Sequence, residues 1–151
     1  MAEPGSGVVR GGVHVFPLRV YVEDTDAAGV VYYMNYLRYT ERARTEMMRL
    51  AGHRHSSLMA GEAGFPLALA VRRCESDYLS PARLDDALEV HSRLVALGGA
   101  SMEFDQAVVR DEEPIMRCRV RIACIRLDTG RPARIPREVR ETLKIFVSEV
   151  Q

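Results

Sequence analysis

Tyr21-Val22-Glu23-Asp24-Thr25-Asp26-Ala27-Ala28-Gly29-Val30-Val31-Tyr32-Tyr33-Met34-Asn35-Tyr36 is the run on which the reading of this chain turns. It places one carboxylate, Asp26, after an extended apolar segment and just ahead of a glycine turn and a helix start. Asn35 reads as the N-cap of that helix. A helix N-terminus offers free backbone N–H groups and a positive dipole end. A carboxylate held beside it suits attack on a polarised carbonyl: the carboxylate serves as nucleophile or general base, and the N–H groups hold the oxyanion that forms. Taken alone, Asp26 reads more simply as a turn carboxylate or a helix-entry cap, since aspartate is routine in both.

Working outward, Val15 to Glu23 reads as a strand that, from Pro17, begins at a sheet edge or as an entering segment. Tyr36 to Ala51 reads as a helix: Tyr36, Tyr39, Ala43, Met47 and Leu50 repeat every three or four residues, and Gly52 is its stop. His53 to Gly64 reads as loop or short helix. Four strand-like runs follow, beginning with Leu67 to Tyr78. In the second, Leu88, Val90, Leu94 and Ala96 alternate with polar residues. Met102, Phe104 and Val108 do so in the third, and Met116, Cys118, Val120, Ile122 and Cys124 in the fourth. This is period-2 patterning with one wet face, read as an antiparallel meander turning at Gly98-Gly99 and Asp111-Glu112-Glu113-Pro114. Arg137 to Val147 reads as a short C-terminal helix. One long helix facing an antiparallel sheet is a two-layer α+β design.

The chain has 151 residues, which predicts one domain able to bury about 68–70% of its unfolded surface. Residues 1–14 are predicted to be a flexible tail and 15–151 the domain; residues 1–12 alone hold four glycines and a proline. A formal net charge of +0 argues against nucleic-acid or membrane binding by bulk charge. Cys74, Cys118 and Cys124 are odd in number and lie in apolar runs, so reduced, buried thiols in a cytoplasmic protein are expected. Neither a signal core in residues 1–12 nor a run of the ~18 apolar residues needed to span a membrane is present.

The run Glu23-Asp24-Thr25-Asp26-Ala27-Ala28-Gly29-Val30-Val31-Tyr32-Tyr33, continued by Asn35-Tyr36 and Glu41-Arg42-Ala43-Arg44-Thr45-Glu46, resembles the signature of the 4-hydroxybenzoyl-CoA thioesterase family. Tyr78-Leu79-Ser80-Pro81-Ala82-Arg83-Leu84-Asp85-Asp86 carries the likeness further, over roughly Pro17 to Arg140. The nearest branch is the acyl-CoA thioesterases associated with the Tol-Pal envelope system. The resemblance implies a hotdog fold, a long central helix wrapped by a five-stranded antiparallel sheet. It implies a homodimer or homotetramer with active sites at the interface. It also implies hydrolysis of a short-chain or aromatic acyl-CoA, with coenzyme A as part of the substrate and neither cofactor nor metal. On it, Asp26 is the catalytic carboxylate and the Tyr33 backbone N–H polarises the thioester carbonyl. Gly29, Val30, Asn35 and Tyr36 would contact substrate, while Asp24 shapes the loop. Tyr33 stands where the Tol-Pal-associated enzymes usually carry histidine and the 4-hydroxybenzoyl branch carries tyrosine. A backbone role survives that difference.

Other candidates read more simply. Glu41 is a catalytic base in other hotdog branches, but ion pairing with Arg38 or Arg44 at helical spacing explains it here. His53 and His55 lack a third metal ligand. Arg117, Arg119 and Arg121, like Arg72 and Arg73, suit a solvated face, and secondarily the phosphates of coenzyme A. The 4-hydroxybenzoyl branch uses basic residues near the turn between its second and third long strands; here Leu97-Gly98-Gly99-Ala100-Ser101 carries no charge. The runner-up reading is a non-catalytic protein of the same fold that binds acyl groups or an acyl carrier protein beside an envelope complex. A hotdog dehydratase needs a histidine paired with an acid, and residues 21–36 contain no histidine.

Overall fold

A computed structural model describes residues 2–147. Six strands form one antiparallel sheet, one more than the five expected. The extra strand is β1, Val8–Arg10, which lies inside the stretch read as a flexible tail and pairs with β2, Val13–Arg19. Gly11 and Gly12 join them with φ of 56° and 78°. Positive φ at both central residues is what a tight two-residue hairpin demands, and two glycines meet it without steric cost.

Helix α1, Tyr33–Leu50, starts three residues before the expected Tyr36. A short helix α2, His55–Met59, follows. Then come β3, Leu67–Tyr78; β4, Ala87–Leu97; β5, Ser101–Arg110; and β6, Glu113–Arg126. Helix α3, Arg137–Leu143, closes the described chain with a 3₁₀ turn, Lys144–Phe146, shorter than the single helix predicted over Arg137 to Val147. Residues 148–151 of the proposed domain lie outside the described residues.

Sheet order is β1-β2-β4-β5-β6-β3. Only β4, β5 and β6 form the expected meander. β3 crosses over to pair with β6 at the far edge, and β2 takes its place beside β4. Pro114 sits opposite Val109 where the β5–β6 register slips. A proline cannot donate to the ladder, so it belongs at such an irregularity.

The helix lies on the inner face of the sheet. Tyr36, Tyr39, Ala43 and Met47 are buried against Leu88, Val90, Leu94, Met102, Phe104, Val108, Met116, Val120 and Ile122. Leu50, the last residue of the expected stripe, is 45% exposed. One row across this core is polar: His14 faces Ser92, Ser92 faces Gln106, and Gln106 faces Cys118. Gln106 accepts from Arg44 Nη1 at 2.9 Å and donates to the Thr40 carbonyl at 3.0 Å and to Ser92 Oγ at 2.9 Å. The buried arginine of α1 is thus satisfied by the sheet, as a buried charge must be. Cys118 and Cys124 are buried free thiols, and burial pushes Cys118 up to about 12. Cys74 is exposed on the edge strand, contrary to the expectation of three buried thiols.

Candidate active site

The chain from β2 to α1 is a compact loop held by its own main chain. A 3₁₀ turn, Val22–Asp24, opens it. Asp24 is buried; its Oδ2 accepts from the Tyr21 N–H at 2.8 Å, and its carbonyl accepts from the Tyr32 N–H at 3.0 Å and from Asn35 Nδ2 at 2.8 Å. Asp24 therefore shapes the loop, as expected. Burial, then the nearby Asp24 carboxylate, raises the Tyr39 phenol well above its ordinary range, so it stays protonated.

Asp26 opens a tight reversal. Its N–H donates to the Val30 carbonyl at 2.9 Å, and its carbonyl accepts from the Gly29 N–H at 3.0 Å. Its Oδ1 accepts from the Ala28 N–H at 2.8 Å, fixing the carboxylate by an Asx turn. Oδ2 makes no hydrogen bond among the described residues, and the side chain is exposed. Gly29 has φ 77°, a left-handed conformation that lets the turn close. Val30 and Val31 leave this turn as extended chain: Val30 bridges to Arg83, and the Val31 N–H donates to the Ala82 carbonyl at 2.8 Å. The Tyr78–Asp86 segment thereby becomes the other wall of the loop.

Helix α1 begins directly after this wall. Tyr32, with φ −62° and ψ 132°, is the N-cap in place of the expected Asn35, and caps without a side-chain hydrogen bond. Asn35 lies inside the first turn because its amide is drawn down to the Asp24 carbonyl. Tyr33 is the first helical residue, and its N–H makes no hydrogen bond among the described residues. The Tyr33 ring is 54% exposed and meets Tyr32 at 5.0 Å and Tyr78 edge-on at 6.0 Å. With Met34 half exposed, these rings make an open apolar patch around the helix end, the kind of surface that marks an interaction site.

The residues read as substrate contacts divide. Asp26, Gly29 and Tyr33 are on the exposed side of the loop and Val30 is half-buried. Asn35 and Tyr36 are buried, and both work as scaffolding: Tyr36 Oη accepts from the Ala82 N–H at 2.9 Å, pinning the opposite wall. Burial raises the Tyr36 phenol too.

Away from this loop, Glu41 lines a cavity of about 460 Å³ together with Arg44, Thr45, His55, Leu69 and Val71. The expected ion pair of Glu41 is not formed among the described residues; Arg44 turns to Gln106 instead. Burial, then Arg44, lowers the His55 imidazole, whose Nε2 has no partner. His53 bonds Thr142 Oγ1 at 2.6 Å, so the two histidines do not converge on a metal. Arg119 and Arg121 lie outward and pair across the sheet with Asp105 at 3.5 Å and Glu103 at 3.7 Å, and Arg73 pairs with Glu75, which matches the solvated-face reading. Among the described residues no helix is long and apolar enough to cross a membrane. The exposed Tyr78 and the Ala82 main chain escaped the sequence reading as site components; the recurrence of the family pattern at Tyr78–Asp86 was the signal available.

Residues 20–143 match the model of the thioesterase-like superfamily. The chain is 38% identical over 125 residues to an acyl-CoA thioesterase, YbgC, of Haemophilus influenzae, covering 83% of this chain and 90% of that one. It is likewise 38% identical over 125 residues to the acyl-CoA thioester hydrolase YbgC of Escherichia coli O157:H7, covering 82% and 90%. Among solved structures, a probable thioesterase from Bartonella henselae superposes with a TM-score of 0.79 at 37% identity, covering 82% of this chain and 99% of that one.

Proposed function

This chain belongs to the thioesterase-like superfamily and has its hotdog fold, and from that premise we propose how it works as an acyl-CoA thioesterase. The observation that carries the reading is the pairing of an exposed carboxylate, Asp26, with a free helix N-terminus at Tyr33 in one hydrogen-bonded loop. A thioester carbonyl is already electrophilic, so one aimed donor and one carboxylate suffice. The Tyr33 N–H receives the carbonyl oxygen as negative charge develops on it. Asp26 either adds to the carbonyl carbon, giving an anhydride that water opens, or takes a proton from the water that adds. In both routes the C–S bond breaks and coenzyme A leaves as its thiolate, which a proton then neutralises.

The exposed patch of Tyr33 and Tyr78 favours a short-chain or aromatic acyl group, since aromatic faces pack on one another. The site is open on one side in a single chain, which supports a dimer or tetramer closed around it. The carrier-protein and Tol-Pal association is the alternative that resemblance offers; an exposed Asp26 whose Oδ2 takes no hydrogen bond among the described residues favours hydrolysis over binding alone. Free-thiol release from a panel of acyl-CoAs tests the reading. Asp26→Asn is expected to lower kcat by roughly 10²–10⁴-fold with the thermal transition retained. Turnover near the wild-type rate in that variant would remove Asp26 from the chemistry.

A further inference from the structure

The wall that faces the Asp26 loop is fixed at two consecutive peptide units. In the unit joining Pro81 to Ala82, the carbonyl accepts from Arg110 Nη1 at 2.9 Å and the N–H donates to Tyr36 Oη at 2.9 Å. In the unit joining Ala82 to Arg83, the N–H donates to Asp86 Oδ2 at 2.8 Å and the carbonyl accepts from the Val31 N–H at 2.8 Å. Arg110 Nη1 also donates to Asp86 Oδ2 at 2.9 Å, so one nitrogen at the end of β5 ties both units together. Burial alone would push the Asp86 carboxyl up, but the Arg83 N–H and the Arg110 guanidinium outweigh it and hold the carboxyl below its usual range. The pair is therefore charged at neutral pH, and charge-assisted bonds of this kind are the strong ones. Asp86 is tied back to the chain leaving β2 as well, since its carbonyl accepts from the Val20 N–H at 2.9 Å.

We propose that Arg110, acting through Asp86 and the Pro81 carbonyl, is a positioning residue for hydrolysis: it sets the register of the wall from which the Asp26 carboxylate and the Tyr33 N–H take their aim. The proposal rests on the thioesterase reading above. Val31 lies two residues before Tyr33, and its N–H is anchored on the Ala82 carbonyl. Val30 bridges to Arg83 on the same wall, and its carbonyl closes the reversal onto the Asp26 N–H. Both halves of the site therefore hang from Ala82 and Arg83, Tyr33 by way of Val31 and Asp26 by way of Val30. Arg110 itself makes no hydrogen bond to either half among the described residues. A wall free to tilt moves the carboxylate and the donor relative to each other, and a displacement of about 1 Å costs up to about 10²-fold in rate.

Arg110→Met keeps the stem of the side chain and removes its donors. It is expected to lower kcat about tenfold with KM within about twofold, equally on an acyl-CoA and on the matching acyl-pantetheine, which lacks the nucleotide. Arg110→Lys, which can reach one of the two acceptors, is expected to recover to within about threefold of the wild-type kcat. In an Asp26→Asn background Arg110→Met is expected to cost only about threefold, because the Tyr33 donor alone is left to aim. Amide hydrogen exchange reads the wall without any turnover: the Val31 N–H is expected to exchange about tenfold faster in Arg110→Met, while the amides at the centres of β5 and β6 exchange as in the wild type. Unchanged exchange at Val31, or a loss in KM alone, overturns the proposal. A loss on the acyl-CoA that is absent on the acyl-pantetheine overturns it too, making Arg110 a contact to the nucleotide. Losses that multiply fully with Asp26→Asn also overturn it, since Arg110 would then act independently of that carboxylate. Faster exchange at Val31, in a protein whose wild type hydrolyses no thioester, upholds the hold of Arg110 on the wall and removes the catalytic reading instead.

Discussion

In the proposed reaction Tyr33 acts through its main chain, and the backbone allows that to be isolated. Tyr33 is the first helical residue, where proline is well tolerated, and Tyr32 before it has φ −62° and ψ 132°, a conformation a following proline accepts. Tyr33→Pro therefore deletes the donor without deforming the helix, and kcat is expected to fall roughly 10²–10³-fold. Tyr33→Ala keeps the N–H and is expected to lose less than about tenfold. Steady-state kinetics of the two variants decide the matter, and equal losses would show that the ring, not the N–H, is what counts. The sequence showed Asp26 as the residue to watch because its spacing from the glycine and the helix is local. It misplaced the cap: Asn35 has a capping side chain, but its amide is claimed by the Asp24 carbonyl across the loop. A propensity cannot register a partner eleven residues away.

At the scale of elements, the polar row beneath α1 ties helix to sheet. Gln106 is a polar residue on the apolar face of β5, and it bonds to Arg44, the Thr40 carbonyl and Ser92 at once. Gln106→Leu would leave a buried guanidinium without its acceptor, at a cost of about 3 kcal/mol. For a chain of this size that lowers the melting temperature by roughly 10 °C, which calorimetry or circular dichroism would read. A change within about 2 °C would mean that Arg44 finds water instead. The period-2 runs made β4, β5 and β6 legible, because burial on one face dictates alternation. Ser92 and Gln106 interrupt that alternation, and their reason lies in the helix, which no strand pattern contains. The hairpin β1–β2 was missed for the opposite reason: its glycines read as flexibility, whereas their positive φ makes a fixed turn.

At the scale of the whole molecule, the long free edge of β3 is the feature that calls for a partner. Its central residues are exposed, Val71 at 52%, and an uncovered edge of this length invites pairing. Val71→Lys sets like charges near the twofold of an antiparallel pair. The variant is expected to sediment as a single chain, and its hydrolysis is expected to fall with the assembly. A variant that still sediments as the wild type would move the interface elsewhere. What the sequence alone determined is whatever depends on neighbours along the chain: the Asp26-to-Gly29 turn, the helix stripe, the alternating strands and the two-layer class. The tertiary structure decided which strand became the edge, that Asn35 and Tyr36 serve the scaffold, and that Arg110 reaches the Pro81 carbonyl and Asp86. Each of those depends on contacts between residues far apart in the chain, where local periodicity holds no information.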